Sequence, residues 1–453
     1  MNREGFCKKT TFRILATAFS LIAGIFGLTV SSFAQTENVL YSFTGATDGG
    51  FPLSSLLLDN GGNLYGTSSQ GGYLSGCALR GCGVVYRLSP NSSGWTETVL
   101  YTFTGGIDGA APVAGLIADH SGNLYGTAAV GGDLSCNPPN GCGVVFELSP
   151  AASGWKQTVL YTFRGGGDGN GPSAPLVFDS AGNLYGTAVI GGNKTKCFLN
   201  GCGVVFKLSP SSAGWKRKVL HAFSGGRDGA YPQADLILDL AGNLYGTTAN
   251  GGNKLTTCGG VFPGCGVAFE LSPNSIGGWK ETVLHTFSGG RDGAIPLAGL
   301  IFDKTRNLYG TTEAGGGSAN CQGCGVVFRL SPASNGWKEN VLHTFSCCKG
   351  GGMPHGGLIL DTAGNLYGTA IELGDLMSCP GSSGCGVVFK LSPLSGGGWK
   401  KTVLHAFHKS DGAGPAASVI LDSAGNLYGT TAAGGNVSDC FRAGCGVVFQ
   451  IGP

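Results

Sequence analysis

Short apolar and alternating segments follow one another along this chain, separated by turns rich in Gly, Ser, Asn and Asp. One cycle runs from an apolar run at 116–119 and the Asn-Leu-Tyr-Gly-Thr sequence at 123–127 to apolar residues 143–148 and the alternating segment 155–163. Runs of this length between turn residues predict β-strands, which we call a to d in chain order. The pattern therefore predicts units of four strands.

The same unit is repeated along almost the whole chain. Its Asn-Leu-Tyr-Gly-Thr sequence occurs seven times at intervals of about 60 residues, starting at Asn63, Asn123, Asn183, Asn243, Asn307, Asn365 and Asn426. Self-similarity at a constant period marks a repeat architecture. Four-stranded units repeated four to eight times around an axis describe a β-propeller. We therefore predict an all-β, seven-bladed β-propeller with four antiparallel strands per blade.

The two ends of the repeat region favour a closed ring. Residues 39–43 have the sequence of a strand d, but no strands a to c precede them. Residues 446–451 form strand c of the seventh unit, and no strand d follows. The N-terminal strand is thus expected to complete the last blade and to remove the exposed sheet edge that an open array would carry. An open β-solenoid is the alternative.

The first 34 residues have the character of a secretory signal. A basic segment with four Lys or Arg residues precedes the apolar stretch 14–30, and Ser32-Phe33-Ala34 offers a small-x-small cleavage site. An uncleaved membrane anchor is the alternative, although the stretch is slightly short for a spanning helix. We expect residues 1–34 to be removed and residues 35–453 to form one domain that is secreted, periplasmic or at the cell surface, with no further membrane span.

Composition narrows the choice of partners. Gly contributes 85 of the 453 residues without a three-residue period, which excludes collagen, and only 12% of residues are charged. Removing residues 1–34 takes away four basic residues and one acidic residue, so the net charge falls from +2 to −1. This is not the basic surface that nucleic acid requires. We expect no nucleic-acid partner, no cofactor and a monomeric protein.

The composite repeat motif resembles a known family. GxDGxxPxxxLxxDxxGNLYGT, then GCGVVFxLSP and GWKxTVL, is similar to the choice-of-anchor tandem repeat proteins of GloVer type over about residues 38–451. The Asp-x-x-Gly-Asn-Leu-Tyr part also resembles NHL-type and regucalcin-type propeller repeats. The GloVer resemblance implies an exported bacterial repeat protein. It implies no activity, so no functional residue is transferred from it.

The loops between strands b and c differ most among the seven copies. From Asn-Leu-Tyr-Gly to the Gly-Cys-Gly of strand c, the spacing varies from 16 to 21 residues. From Val-Leu of strand d to the next Asn-Leu-Tyr-Gly, it is 24 residues in six units and 23 in the last. In an antiparallel blade the b–c and d–a loops share one face, and variable loops on a constant scaffold are where binding specificity is usually built. This face is the candidate interaction face, with neutral drift in loop length as the alternative.

Two cysteines lie in or next to every b–c loop. The pairs are Cys77 and Cys82, Cys136 and Cys142, Cys197 and Cys202, Cys258 and Cys265, Cys321 and Cys324, Cys379 and Cys385, and Cys440 and Cys445. In an exported chain such local pairs predict seven disulfides. Structural zinc is the alternative, but it needs four ligands and each blade supplies only two cysteines. We expect no metal site.

Three further features mark candidate binding residues on the same face. Cys347 and Cys348 are adjacent in a d–a loop that lacks the Asp of the other loops, and His355 follows them. A vicinal disulfide there would shape a ligand contact, respond to redox conditions, or simply stiffen the loop. Asp235 is the one charged residue among the pairs that precede strand a, where catalytic propellers gather their polar groups. These positions contain no acid–base pair and no nucleophile–base pair, so no catalytic residue is predicted.

Other recurrent polar residues are expected to have structural roles. The Asp of each Asp-Gly pair in six d–a loops and the Asp at the end of each strand a are typical of turns. Four histidines in strand d, His221, His285, His343 and His405, replace the tyrosines of earlier units. They lie on the outermost strand, too far apart to share an ion between blades. The six tryptophans that lead into strand d are expected to pack rather than to stack on sugars.

Together these observations predict a secreted, disulfide-stapled propeller that acts as a binding module for an extracellular glycan or protein. A hydrolase or lyase with a site built from loop residues is the first alternative. A purely structural component of the cell surface is the second.

Overall fold

The structure of this protein is a computed structural model. It describes residues 36–453 except 76, 78–79, 194–196, 198–199, 254–257, 259–262, 318–322, 347–349, 376, 378, 380–383, 437, 439 and 441–442. The predicted signal segment 1–34, Cys321, Cys347 and Cys348 lie outside the described residues.

The described strands form seven four-stranded antiparallel sheets, which are the blades. Blade 1 consists of β2 (Leu57–Leu58), β3 (Leu64–Ser68), β4 (Val84–Asn91) and β5 (Gly94–Thr102); blade 2 of β6 (Ile117–Ala118), β7 (Leu124–Ala128), β8 (Val144–Ala151) and β9 (Gly154–Thr162); blade 3 of β10 (Val177–Phe178), β11 (Leu184–Ala188), β12 (Val204–Ser211) and β13 (Gly214–Ala222). Blade 4 consists of β14 (Ile237–Leu238), β15 (Leu244–Thr248), β16 (Val267–Pro273) and β17 (Trp279–Thr286); blade 5 of β18 (Ile301–Phe302), β19 (Leu308–Thr312), β20 (Val326–Ala333) and β21 (Gly336–Thr344). Blade 6 consists of β22 (Ile359–Leu360), β23 (Leu366–Ala370), β24 (Val387–Pro393) and β25 (Trp399–Ala406); blade 7 of β26 (Ile420–Leu421), β27 (Leu427–Thr431), β28 (Val447–Ile451) and β1 (Glu37–Ser42).

The ring closes as the sequence predicts. The N-terminal strand β1 pairs antiparallel with β28, so the two ends of the chain share blade 7. The seven-bladed propeller with four antiparallel strands per blade is therefore confirmed. One 3₁₀ turn, Gly166–Asp168, lies wholly within the described residues. No helix among these residues is long and apolar enough to cross a membrane.

The hydrophobic core lies between neighbouring blades. The Phe after each strand d packs edge-on against an aromatic ring in strand c of the next blade, as Phe103 does on Phe146 with 5.3 Å between ring centroids. At the closure, Phe43 packs in the same way on Tyr86 at 5.0 Å. These rings are fully buried. Each blade thus buries its apolar face against the next one, as expected for repeat units that cannot form a core alone.

A ring of threonine hydrogen bonds explains the last residue of the Asn-Leu-Tyr-Gly-Thr motif. Each of these buried threonines donates its Oγ1 hydroxyl to a carbonyl oxygen of the next blade, at 2.9–3.3 Å. The pairs are Thr67 with Ala114, Thr127 with Ala174, Thr187 with Ala234, Thr247 with Ala298, Thr311 with Gly356, Thr369 with Ala417, and Thr430 with Ser54. The last bond joins blade 7 to blade 1. The repeated motif therefore links blades rather than forming seven sites.

The Asp at the end of strand a organises the a–b turn, as expected. In blade 1, Asp59 accepts hydrogen bonds from the backbone and side chain of Asn63 at 2.8 Å each and from the hydroxyl of Tyr65 at 3.1 Å. These hydrogen bonds outweigh partial burial and hold the pKa of Asp59 below its ordinary value. The Asn and Tyr of the motif thus stabilise the turn.

Strand c is longer than its apolar run suggested. In blade 2 it continues through Ser149 and Pro150, which the sequence placed in a turn, and Pro150 pairs with Trp155 of strand d. Proline fits here because its fixed φ suits an extended strand near its end, beside a two-residue turn.

Candidate functional site

The b–c and d–a loops form one continuous surface, which we call the loop face. The d–a loop between blades 1 and 2 is an example. On one side it is hydrogen-bonded to the disulfide loop of blade 1, because Ala111 N–H donates to the Cys82 carbonyl at 2.9 Å. On the other side, Gly132 N–H of the blade 2 b–c loop donates to the Gly106 carbonyl at 2.8 Å. Each d–a loop therefore connects two neighbouring b–c loops.

Local disulfides fix these b–c loops, as predicted. Six bonds are described, namely Cys77–Cys82, Cys136–Cys142, Cys197–Cys202, Cys258–Cys265, Cys379–Cys385 and Cys440–Cys445. Cys324 is also disulfide-bonded, whereas Cys321 lies outside the described residues. The d–a loops pack on these bonds through glycine. Gly45 has a φ of +74°, and a side chain at this position would collide with the sulfurs of Cys440 and Cys445.

Part of the loop face carries exposed apolar side chains. Tyr73 and Leu74 come from the b–c loop of blade 1, Ile107 from the next d–a loop and Leu134 from the b–c loop of blade 2. Ile107 is 84% exposed. The hydrogen bonds described above join these three loops in series. We call Tyr73, Leu74, Ile107 and Leu134 the apolar patch.

Asp235 lies just before β14, the first strand of blade 4. Its carboxylate accepts a hydrogen bond from the backbone N–H of Gly299 in blade 5, and Gly299 leaves the space that the carboxylate fills. Burial raises the pKa of Asp235 despite this bond. The equivalent positions of the other blades hold Ser, Gly or Pro, so these positions offer Asp235 no ionisable partner.

His355 does have an ionisable partner. Its Nε2 atom lies 3.3 Å from a carboxylate oxygen of Glu313, which follows strand β19 of blade 5. Both side chains are partly exposed. No sequence pattern indicates this pair, because Glu313 belongs to the preceding blade and only the packing of blades 5 and 6 brings the two residues together. The other copies carry uncharged residues at both positions.

The histidines of strand d lie at the outer rim and pack there, as expected. The ring of His221 packs edge-on against that of Phe223, with 4.7 Å between the ring centroids. Its Nε2 atom is 3.5 Å from Asp228 of the following d–a loop. In earlier blades a tyrosine takes this place, as Tyr41 donates to Asp48 at 3.0 Å. These loop aspartates hold the turn by accepting backbone N–H groups as well.

The d–a loop that follows blade 5, which has Cys347 and Cys348 in its sequence, differs from this arrangement. It has no Asp, and a lysine of the next blade, Lys401, donates to the Gly350 carbonyl and lies 4.8 Å above the ring centroid of Phe345. Burial lowers the pKa of Lys401 to about 8. Burial and this lysine together lower the pKa of His343 to about 4, so the histidine is neutral at physiological pH.

The tryptophans that lead into strand d are packing residues. Trp95 packs edge-on against Tyr428 of the preceding blade at 6.3 Å, and Trp337 packs against Tyr245 at 6.5 Å. They are therefore not free platforms for sugars.

These features define a closed seven-bladed β-propeller whose loop face is reinforced by disulfides. The Gloeobacter/Verrucomicrobia repeat model matches residues 23–150, 80–322 and 254–453, and the chain belongs to this family. The resemblance noted in the sequence is confirmed. No curated protein matches the chain.

Several solved structures are similar in fold. They include a Lactobacillus plantarum protein (14% identity, TM-score 0.46, covering 77% of this chain and 84% of that one) and a gluconolactonase from Xanthomonas campestris (13% identity, TM-score 0.37, covering 71% and 88%). A carbohydrate-active enzyme of family AA12 from Trichoderma reesei has 12% identity and a TM-score of 0.40, covering 93% of this chain and 96% of that one. Similarity at this level concerns the fold.

Proposed function

We propose that this protein is an exported binding module and that its ligand binds to the loop face. The observation that carries the proposal is the apolar patch on loops that are held in place by disulfides and by inter-loop hydrogen bonds. Exposed apolar side chains that cluster on one surface are typical of interaction sites. Because disulfides and hydrogen bonds already hold the bases of these loops, less conformational entropy is lost on binding.

The chemistry of the patch favours a protein ligand over a glycan. Glycan sites depend on exposed aromatic rings, and Tyr73 is the only strongly exposed aromatic residue among the described residues. Leu74, Ile107 and Leu134 instead offer aliphatic surface, which suits apolar side chains of a partner. We therefore propose an extracellular protein as the ligand class and retain a glycan as an outcome of the test.

The test compares two variants that each lose two exposed aliphatic side chains. Ile107→Ser with Leu134→Ser alters the apolar patch. Leu240→Ser with Ile276→Ser removes two residues that are even more exposed, in the a–b and c–d turns of blade 4 on the opposite face. The purified mature proteins are immobilised and offered a glycan array and the secreted and surface proteins of the producing cell. Dissociation constants are then measured for each recovered ligand by interferometry.

We expect a protein ligand whose affinity falls at least about tenfold in the patch variant and stays unchanged in the turn variant. Equal affinity for both variants would contradict a site on the patch. Glycan binding that is lost in the patch variant would support the site and replace the ligand class. If the wild-type protein binds nothing in either screen, the binding-module proposal is wrong.

A further inference from the structure

A cluster of three possible metal ligands lies in the d–a loop that follows blade 6. His405 is the penultimate residue of β25, and His408 and Asp411 follow in the loop. One ligand atom from each residue lies within 4.8 Å of the others. The Nε2 atom of His405 is 3.2 Å, and the Nδ1 atom of His408 is 3.5 Å, from the same Asp411 oxygen, Oδ2.

The two distances to Asp411 fit a shared ion. Tetrahedral zinc binds nitrogen and oxygen at about 2.0–2.2 Å, which places neighbouring ligand atoms roughly 3.4 Å apart. The other oxygen of Asp411 accepts the backbone N–H of His408 at 2.7 Å, so the carboxylate is already oriented. Two imidazoles and one carboxylate form a ligand set typical of zinc sites.

The partner of His408 also suits metal binding. Its second ring nitrogen, Nε2, lies 3.3 Å from Asp375 Oδ2 in the b–c loop of blade 6. Metal-binding histidines usually donate their other N–H to a carboxylate, which fixes the tautomer and the ring orientation. With Asp375 accepting from Nε2, the Nδ1 atom of His408 keeps its lone pair and faces His405 and Asp411.

This loop differs from the equivalent loops that follow blades 3 and 4. There, His221 faces Asp228 and His285 faces Asp292 at 3.5 and 3.3 Å, but serine stands where blade 6 has His408. The blade 6 loop is also one residue shorter. Among the described residues, this is the only group of three such ligands.

A further acidic residue, Glu37, comes from the strand that closes the ring. Glu37, at the start of β1, is close enough to His405 and Asp411 for electrostatic interaction with both. One of its carboxylate oxygens is buried without a hydrogen-bond partner. A cation at the cluster would therefore offset negative charge from Asp411 and Glu37 together.

We propose that His405, His408 and Asp411 bind a divalent transition-metal ion, with Zn²⁺ as the best fit, and that the open coordination position faces Glu37. The ion joins the end of β25 to the d–a loop that follows it, near Glu37 of the closing strand. This inference departs from the expectation of no metal site, and it does not depend on the proposed ligand of the loop face.

The test uses tag-free, disulfide-oxidised mature protein freed of metal by chelation. Binding of Zn²⁺ is measured by titration calorimetry, and Co²⁺ is added separately because a tetrahedral Co²⁺ site has strong visible absorption. His408→Ser introduces the residue that stands at this position in the loops after blades 3 and 4, so the variant is expected to fold. Asp375→Asn removes the carboxylate behind His408, and His285→Ala in blade 4 is the matched control. Unfolding midpoints in chelator verify that each variant is folded.

We expect one equivalent of Zn²⁺ to bind the wild type and the His285→Ala variant equally. Affinity should fall at least about 100-fold in His408→Ser and about 10–100-fold in Asp375→Asn. Zn²⁺ should raise the unfolding midpoint of the wild type but not that of His408→Ser. The proposal is overturned if the wild type binds no stoichiometric Zn²⁺, or if His408→Ser binds it as tightly as the wild type does.

Discussion

At the scale of single residues, one position controls the electrostatics of the outer rim. This position is two residues after the tryptophan of strand d. It lies next to the aspartate in the d–a loop that follows the preceding blade. In blade 2 it is Gln157, which donates to the Asp108 carbonyl at 3.1 Å. In blade 3 it is Arg217, which forms a 2.6 Å ion pair with Asp168. The same backbone position therefore accommodates neutral, positive and negative side chains.

In blade 1 this position is occupied by Glu97, beside Asp48. Burial, together with the charge of Asp48, raises the pKa of Glu97 from 4.5 to about 7. A raised carboxyl pKa means that the protonated form stabilises the folded state. This contribution is present below pH 4.5 and is lost as the pH rises through about 7.

Glu97→Gln should therefore stabilise the protein at alkaline pH only. At pH 8.5 we expect its free energy of unfolding to exceed that of the wild type by roughly 1 kcal/mol, a value discounted for solvent screening at this half-buried site. At pH 4 the two proteins should be equal. The reverse change in the next blade, Gln157→Glu, should be destabilising in the same pH window. Urea unfolding at both pH values measures this, and a pH-independent difference would contradict the assignment.

At the scale of elements, the b–c loops combine variable length with fixed ends. Each described disulfide closes a loop with a sequence separation of five to seven residues, next to the start of strand c. Backbone bonds hold the base as well, as in blade 2, where Gly131 N–H donates to Asn140 at 2.6 Å. Residues between the two cysteines can change without moving the strands.

Removing one of these disulfides should loosen a single loop. For Cys136→Ser with Cys142→Ser we expect a loss of about 2 kcal/mol in the free energy of unfolding, because the unfolded chain regains the freedom of the closed loop. Amide hydrogen exchange should accelerate at Gly131 and not in β7 or β8. Ser135→Ala, in the same loop, should change stability by less than about 0.5 kcal/mol. Equal stability of the double variant and the wild type would show that the backbone bonds alone hold the loop.

At the scale of the whole molecule, the ring depends on one short strand at the N-terminus. Strand β1 pairs with β28, Phe43 fills the interface with Tyr86, and Thr430 bonds to Ser54 across the same junction. Without β1, blade 7 would expose an unpaired edge, which invites aggregation.

Deleting residues 36–43 should open this junction. We expect a loss of at least about 4 kcal/mol, since burial of Phe43 alone contributes on this order. A synthetic peptide of residues 36–43, added in excess, should restore the unfolding midpoint, whereas a peptide of the same composition in scrambled order should not. Thermal unfolding and gel filtration report the outcome. Equal rescue by both peptides would contradict specific closure.

The sequence by itself determined the strands, the seven blades, the shared blade at the closure and the disulfide pairing. These features depend on local patterns, such as alternation, turn residues and cysteines a few positions apart. Each of these patterns recurs from one repeat unit to the next. The strand ends were less accurate, because Ser149 and Pro150 look like a turn until the register with strand d is known.

Only the tertiary structure decided which residues meet across blades and loops. His355 faces Glu313 because blades 5 and 6 are adjacent. His408 lies between Asp411 of its own loop and Asp375 of another loop, beside the first strand of the chain. Such contacts are set by how the blades pack around the ring, and no local sequence pattern records the distances that this packing creates.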